Sequence, residues 1–302
     1  MKRRTVFCLT LAAALLFAAC NRSGRSVATH AGASAKASAE AVAGVLADSA
    51  DAATVTQSTG KIPADYQKLA AAFATLSERT QRAITNGDPV AFLADLAAVL
   101  SADGAVSAQA GDGAVSLLYL CDKTHYLPTG YEPPNLVHLD TCSAYNVNRN
   151  NLYLRADAER ALREMGEAAR ADGVTLLVSS TYRSYDYQVQ VYNRLVALDG
   201  QEQADRESAR PGTSQHQLGT VVDFGAIDPS WEPTAACQWL LQHAADYGWS
   251  LSFPAGYEDV TGYEYECWHF RYIGKTACAF QKKWFSDVQQ CMLEFIAAYV
   301  QH

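Results

Sequence analysis

Apolar positions recur at helical spacing in the first third of the 302-residue chain. Tyr66, Leu69, Phe73 and Leu76 share one helical face, as do Phe92, Leu93, Leu96 and Leu100. "NGDP" at Asn86–Pro89 is a strong break between the two runs. The pattern predicts a helical hairpin over residues 61–110. Residues 21–60 are rich in Ala, Ser, Gly and Thr and nearly free of large apolar side chains. Such a stretch cannot bury enough surface to offset its ordering entropy, so a flexible tether is expected there.

From about Val115 the texture changes. "VSLLYL" reads as a strand, and Arg155–Ala171 as a helix with Leu162, Met165 and Ala169 inward and Gly173 closing it. "VTLLVSS" reads as a buried strand and Asp186–Leu198 as a helix. "ACQWLLQHAADYG" reads as a third helix, closed by Gly248, and "WSLSF" and "CWHFRYI" as strands. Helices and strands do not alternate strictly. The expected class is therefore α+β, a small antiparallel or mixed sheet flanked by helices over residues 111–302, rather than a doubly wound sheet.

Nearly half of the residues, 49%, are hydrophobic, which allows a sizeable core. The formal charge of -8, with no dense Lys/Arg cluster beyond residue 4, argues against a nucleic-acid partner. The N-terminus changes the picture more. "MKRR" followed by "TVFCLTLAAALLFAA" has the charged and apolar regions of a targeting signal, too short for a spanning anchor. "LLFAAC" followed by polar "NRSG" resembles a bacterial lipoprotein lipobox, with Phe17 a less usual residue in it. That resemblance implies cleavage before Cys20, lipid on its thiol, and a membrane-anchored protein of the periplasm or cell envelope. The lipoprotein signal would then be residues 1–20, and the bland alternative is an ordinary secretory signal cut nearby. Either way the chain is exported, and Cys121, Cys142, Cys237, Cys267, Cys278 and Cys291 are left as an even set in which disulfides are expected. Cys121 with Cys142 and Cys278 with Cys291 are the local pairings.

Of the seven histidines, His30, His125, His138, His243 and His302 read as ordinary, partly exposed side chains. His216 and His269 differ, because acids accompany them. In "SQHQLGTVVDF", Asp223 sits between Val222 and Phe224, where an unpaired charge is costly. His216 and Asp223 would fall on opposite faces of a regular strand, and converge only if the chain bends at Gly219. A structural Asp–His hydrogen bond and a shared metal ion are equally good readings of that stretch. In "YEYECWHFRYIG", Glu266 and His269 are three apart, which a turn or irregular strand entry would bring together. The two stretches together hold the inventory of a catalytic zinc site: three ligands plus a carboxylate for the proton of water. No H-E-x-x-H helix is present.

"SxHxxGxxxD" followed by "ExWH" resembles the zinc D-alanyl-D-alanine carboxypeptidases of the VanY type, a group that includes VanX dipeptidases and L,D-carboxypeptidases. Four blocks carry the resemblance in order: "YLPTGYEPPNLVHL", "NLYLRADAERALREMGEAARADGVTLLVSSTYRSYDYQ", "SARPGTSQHQLGTVVDFG" and "DYGWSLSFPAGYEDVTGYEYECWHFRYIG". Val221 and Cys267 depart from the family pattern without touching a ligand position. The resemblance implies zinc ligation by His216, Asp223 and His269, with Glu266 as the catalytic base. It implies that Arg183 contacts the oxyanion or carboxylate of the substrate, and that Ser214 and Gln190 line the substrate pocket. The implied substrate is a peptidoglycan stem peptide ending in D-Ala-D-Ala. An L,D-carboxypeptidase or endopeptidase on the same scaffold is the alternative. A non-catalytic metal-binding or adhesion module would have no need of Glu266.

Overall fold

The computed structural model describes residues 64–302 apart from 86, 111 and 112. The expected signal, tether and lipid-bearing Cys20 lie outside the described residues. The described residues divide into two compact units, residues 64–82 with Ala298–His302, and Ala83–Ala297. Within the first, α1 (Ala64–Thr75) and α2 (Glu78–Ala83, its last residue in the second unit) are separated at Leu76 and Ser77, where the Ser77 hydroxyl accepts from Thr80 N. The second unit opens with α3 (Pro89–Ala110), so residues 64–110 form three helices where two were expected.

Helix α3 is long and apolar enough to cross a membrane by length and composition. Phe92, Leu96 and Val99 are its buried residues, on one face. Phe92 meets the rings of Phe280, Trp284, Phe285 and Phe295, and Asp95 accepts from Lys283 Nζ and Trp284 Nε1.

The remainder is α+β, as expected. β1 (Leu136–His138) and β3 (Tyr153–Arg155) form a small antiparallel ribbon. β2 (Tyr145–Val147), β4 (Leu176–Ser180), β5 (Val221–Phe224), β7 (His269–Tyr272) and β6 (Trp249–Leu251) form the main sheet in the order β2-β4-β5-β7-β6. The β2–β4 pair is parallel and the others antiparallel. α4 (Ala156–Ala171) lays Leu162, Met165 and Ala169 into the core with Val178, Val222, Phe224, Trp249 and Phe270. It approaches closely because residue 166 is glycine: a Cβ there would lie 2.6 Å from the carbonyl oxygen of Ala144. α5 (Tyr185–Asp199) starts at Ser184, whose hydroxyl accepts from Tyr187 N, and is followed by α6 (Gln201–Glu207). α7 (Ala235–His243) is capped by Thr234 and its 3-10 extension ends on Gly248, in the left-handed region at φ +85°. α8 (Glu258–Thr261), α9 (Lys275–Trp284) and α10 (Gln289–Gln301) complete the chain.

Alternation along β5 and β7 gives the sheet two different faces. Val222, Phe224 and Phe270 enter the core, whereas Val221, Asp223, His269 and Arg271 are buried on the other side. Arg271, 0% exposed, donates through Nη2 to the carbonyls of Leu117 and Tyr119. Arg155 donates to the carbonyl of Val115 and pairs with Asp157. These bonds correct the reading of "VSLLYL" as a strand. The segment is irregular, and two buried arginines take the carbonyls that a neighbouring strand would have taken.

The expected disulfide pairings are also corrected. Cys121, Cys142, Cys237, Cys267 and Cys278 carry free thiols. Cys121 is buried among Leu127, Tyr131 and Leu218, whereas Cys142 packs at the edge of the main core. Closeness in sequence did not make them neighbours. Burial pushes the Cys121 and Cys267 thiols up to about 12, which leaves little thiolate to react at neutral pH.

Candidate active site and metal centre

The bend anticipated at Gly219 is present. Residues Gln215–Leu218 form a 3-10 turn that ends on Gly219 at φ +72°. The turn lifts His216 over the end of β5, and the β5–β7 register sets Asp223 directly opposite His269. Glu266 lies just before β7, where its backbone N–H donates to the Phe253 carbonyl.

The three ligand candidates meet. His216 Nε2 is 3.1 Å from Asp223 Oδ2, and His269 Nδ1 is 3.2 Å from Asp223 Oδ1. One donor atom from each residue falls within 4.8 Å of the others. The two imidazole rings stand edge to face, with centroids 4.9 Å apart. Ligands about 2.0–2.1 Å from a tetrahedral ion lie roughly 3.3 Å from one another, so the two N···O separations suit a shared metal. A simple Asp–His hydrogen bond fits less well. His216 Nε2 and Asp223 Oδ1 are buried and make no hydrogen bond. Buried polar atoms are seldom left in that state. Glu266 Oε2 stands 3.3 Å from His269 Nδ1, outside the three-residue set.

Electrostatics point the same way. Burial, reinforced by the nearby Arg183 cation, pushes His216 down to about 4, so it is neutral and able to ligate at neutral pH. Burial pushes Asp223 up, but His216 and His269 outweigh it and hold the carboxyl well below the ordinary carboxylate range. Burial raises Glu266 above that range. Arg183 Nη2 is 4.0 Å from Asp223 Oδ2, and Arg183 Nε is buried without a hydrogen bond. Burial pulls His269 down, but Asp223 and Glu266 outweigh it and raise the imidazole above its ordinary value, so the two buried carboxylates draw positive charge to the place a divalent cation would take.

A cleft of ≈ 240 Å³ opens over these groups, with Arg183, Ser214, Tyr263, Glu266 and Trp268 in its wall. Ser214 is buried, and its side chain does not cap the turn that follows. Trp268 serves both core and cleft. Gln190 is not brought to the site. It is exposed on α5 and does not line the cleft, whereas its helical neighbours Tyr187 and Arg194, with Val191 and Leu195, do. Gln215, beside the candidate ligand His216, carried no signal of its own in the sequence. It is buried in the cleft wall, with Oε1 3.3 Å from His269 Nε2.

Residues 151–275 match the family described as VanY: D-alanyl-D-alanine carboxypeptidase. The chain is 36% identical over 168 residues to YodJ of Bacillus subtilis (strain 168), over 54% of this chain and 62% of that protein. It is 30% identical over 168 residues to the bifunctional D-Ala-D-Ala dipeptidase and D-Ala-D-Ala carboxypeptidase VanXYC of Enterococcus gallinarum, covering 53% of this chain and 85% of that one. The match thus spans less than two thirds of YodJ and most of VanXYC. Among solved structures, the LdcB LD-carboxypeptidase superposes with a TM-score of 0.54 at 34% identity, over 60% of this chain and 86% of that chain.

Proposed function

The chain belongs to the VanY family of D-alanyl-D-alanine carboxypeptidases, and from that premise we propose that it is a zinc-dependent carboxypeptidase removing the terminal D-alanine from peptidoglycan stem peptides ending in D-Ala-D-Ala. One observation carries the reading. Glu266 faces the buried His216, Asp223 and His269 set at 3.3 Å without being part of it. A site built only to bind metal has no use for that carboxylate. Zinc held by the three residues would supply Lewis acidity, polarising the scissile carbonyl and activating water.

The remaining steps fall to the chain's own side chains. Glu266 accepts a proton from the attacking water. The same carboxyl then returns the proton to the leaving amine of D-alanine as the C–N bond breaks. Its burial favours this double role, because raising the carboxyl's pKa makes it a better acceptor of the water's proton. Arg183 presents its guanidinium to the negative oxygens of the substrate, and the uncapped Ser214 hydroxyl is available to the peptide. Gln190 has no part in this account.

The likeness to LdcB supports a second reading, an L,D-carboxypeptidase cutting one bond earlier. Digestion of purified pentapeptide and tetrapeptide muropeptides, read by mass, separates the two. The first reading expects the pentapeptide to lose one alanine and the tetrapeptide to survive. Cleavage of the tetrapeptide with the pentapeptide intact favours the second, and two intact substrates contradict both.

We further propose that the protein acts in the cell envelope, held to a membrane by lipid on Cys20, because "LLFAAC" resembles a lipobox. Cys20→Ser should move the protein from the membrane fraction to the soluble envelope fraction. Unchanged detergent partitioning of that variant would count against the anchor.

A further inference from the structure

The two candidate histidine ligands present different nitrogens to the site. His216 Nδ1 is 2.7 Å from the Thr181 carbonyl, which can only accept, so the proton sits on Nδ1 and Nε2 is left as the ligand atom. His269 is turned the other way. Its Nδ1 faces Asp223 and Glu266, and its Nε2 faces Gln215 Oε1 at 3.3 Å. For Nδ1 to ligate, Nε2 must carry the proton and needs an acceptor. We propose that Gln215 is that acceptor, a positioning residue that fixes the metal-binding tautomer of His269 through a buried chain of polar side chains behind the site. The inference rests on the metal reading above and adds a residue outside the ligand set.

What makes Gln215 suited to the task is how its amide is held. Ser252 Oγ donates to Gln215 Oε1 at 2.8 Å. Ser252 is also 3.3 Å from Gln289 Oε1, and Gln289 Nε2 donates to the Ser250 carbonyl. That last bond fixes the orientation of Gln289, since a carbonyl cannot donate. The single hydroxyl hydrogen of Ser252 therefore meets two amide oxygens and goes to the nearer one, on Gln215. Ser252 is itself tied to the ligand strand, its backbone N–H donating to the His269 carbonyl. All of these side chains are buried, so water does not compete for the bonds. The chain is thus anchored at both ends on the segment that bears the ligand. An acceptor in this position orients the imidazole and raises its basicity as a ligand.

The test measures zinc affinity by competition with a chromophoric chelator. Wild type, Gln215→Leu and Gln215→Glu are compared, with melting of each metal-free form recorded alongside. Second-sphere partners of ligating histidines typically contribute about 10- to 100-fold in metal affinity. Gln215→Leu should lose about that factor, whereas Gln215→Glu, which keeps an acceptor oxygen, should hold zinc at least as tightly as wild type. Equal affinity in the leucine variant overturns the inference, and so does a glutamate variant as weak as the leucine one. A measurement on the wild type alone removes any dependence on folding of the variants. Long-range 1H–15N spectra of the zinc form should show one active-site histidine ligating through Nε2 and the other through Nδ1. Ligation of both through Nε2 overturns the proposal. A wild type that takes up no zinc instead sinks the metal reading itself.

Discussion

Glu266→Gln should lower turnover by about 10²- to 10⁴-fold, or roughly 3 to 5 kcal/mol of barrier, while zinc content stays at that of the wild type. Glutamine keeps the shape of the side chain and cannot carry the proton. Glu266 is 3.3 Å from His269 Nδ1 but outside the candidate ligand set, so its neutralisation leaves all three proposed metal donors in place. Single-turnover assays on a D-Ala-D-Ala peptide check the expectation. Alanine release near the wild-type rate would mean that another group handles the proton. The affinity of the variant for a non-cleavable stem peptide should change little, because the carboxylate acts on the water rather than on binding.

The second large effect is expected at Arg183. Arg183→Met should reduce kcat/KM by about 10²- to 10³-fold, the size seen when one donor to a developing oxyanion is removed. Arg183 lines the cleft beside Asp223, which places its guanidinium where a substrate oxygen would meet it. Arg183→Lys should recover little of the loss, because an ammonium cannot reproduce the planar fork of the guanidinium. Steady-state kinetics on the same peptide decide the matter. A methionine variant with unchanged kcat/KM would reduce Arg183 to charge balance for Asp223.

The clustering of the candidate ligands could be read from the sequence because its geometry is local. His216, Gly219 and Asp223 lie within eight residues, and a bend at Gly219 is enough to bring the two side chains together. His269 needed one long-range step, the pairing of β5 with β7, which sets it opposite Asp223. Features set by distant contacts were not legible. Val115–Leu120 has the composition of a strand, yet its carbonyls are taken by Arg155 and Arg271, far along the chain. Gln190 lies on α5, where Gln188 is the buried residue and tertiary contacts decide which side chains line the cleft, and three-residue strands such as β1 and β2 are too short to show periodicity. Gln215 carried no signal beyond its place beside His216. Its role emerges only when Ser252 and Gln289 arrive behind it.

Zinc bound per chain, measured side by side in purified wild type, Glu266→Gln and His269→Ala, tests the division of labour most directly. The account predicts one zinc in the wild type and in Glu266→Gln, and a sharp loss in His269→Ala. Full zinc retention in His269→Ala would contradict it.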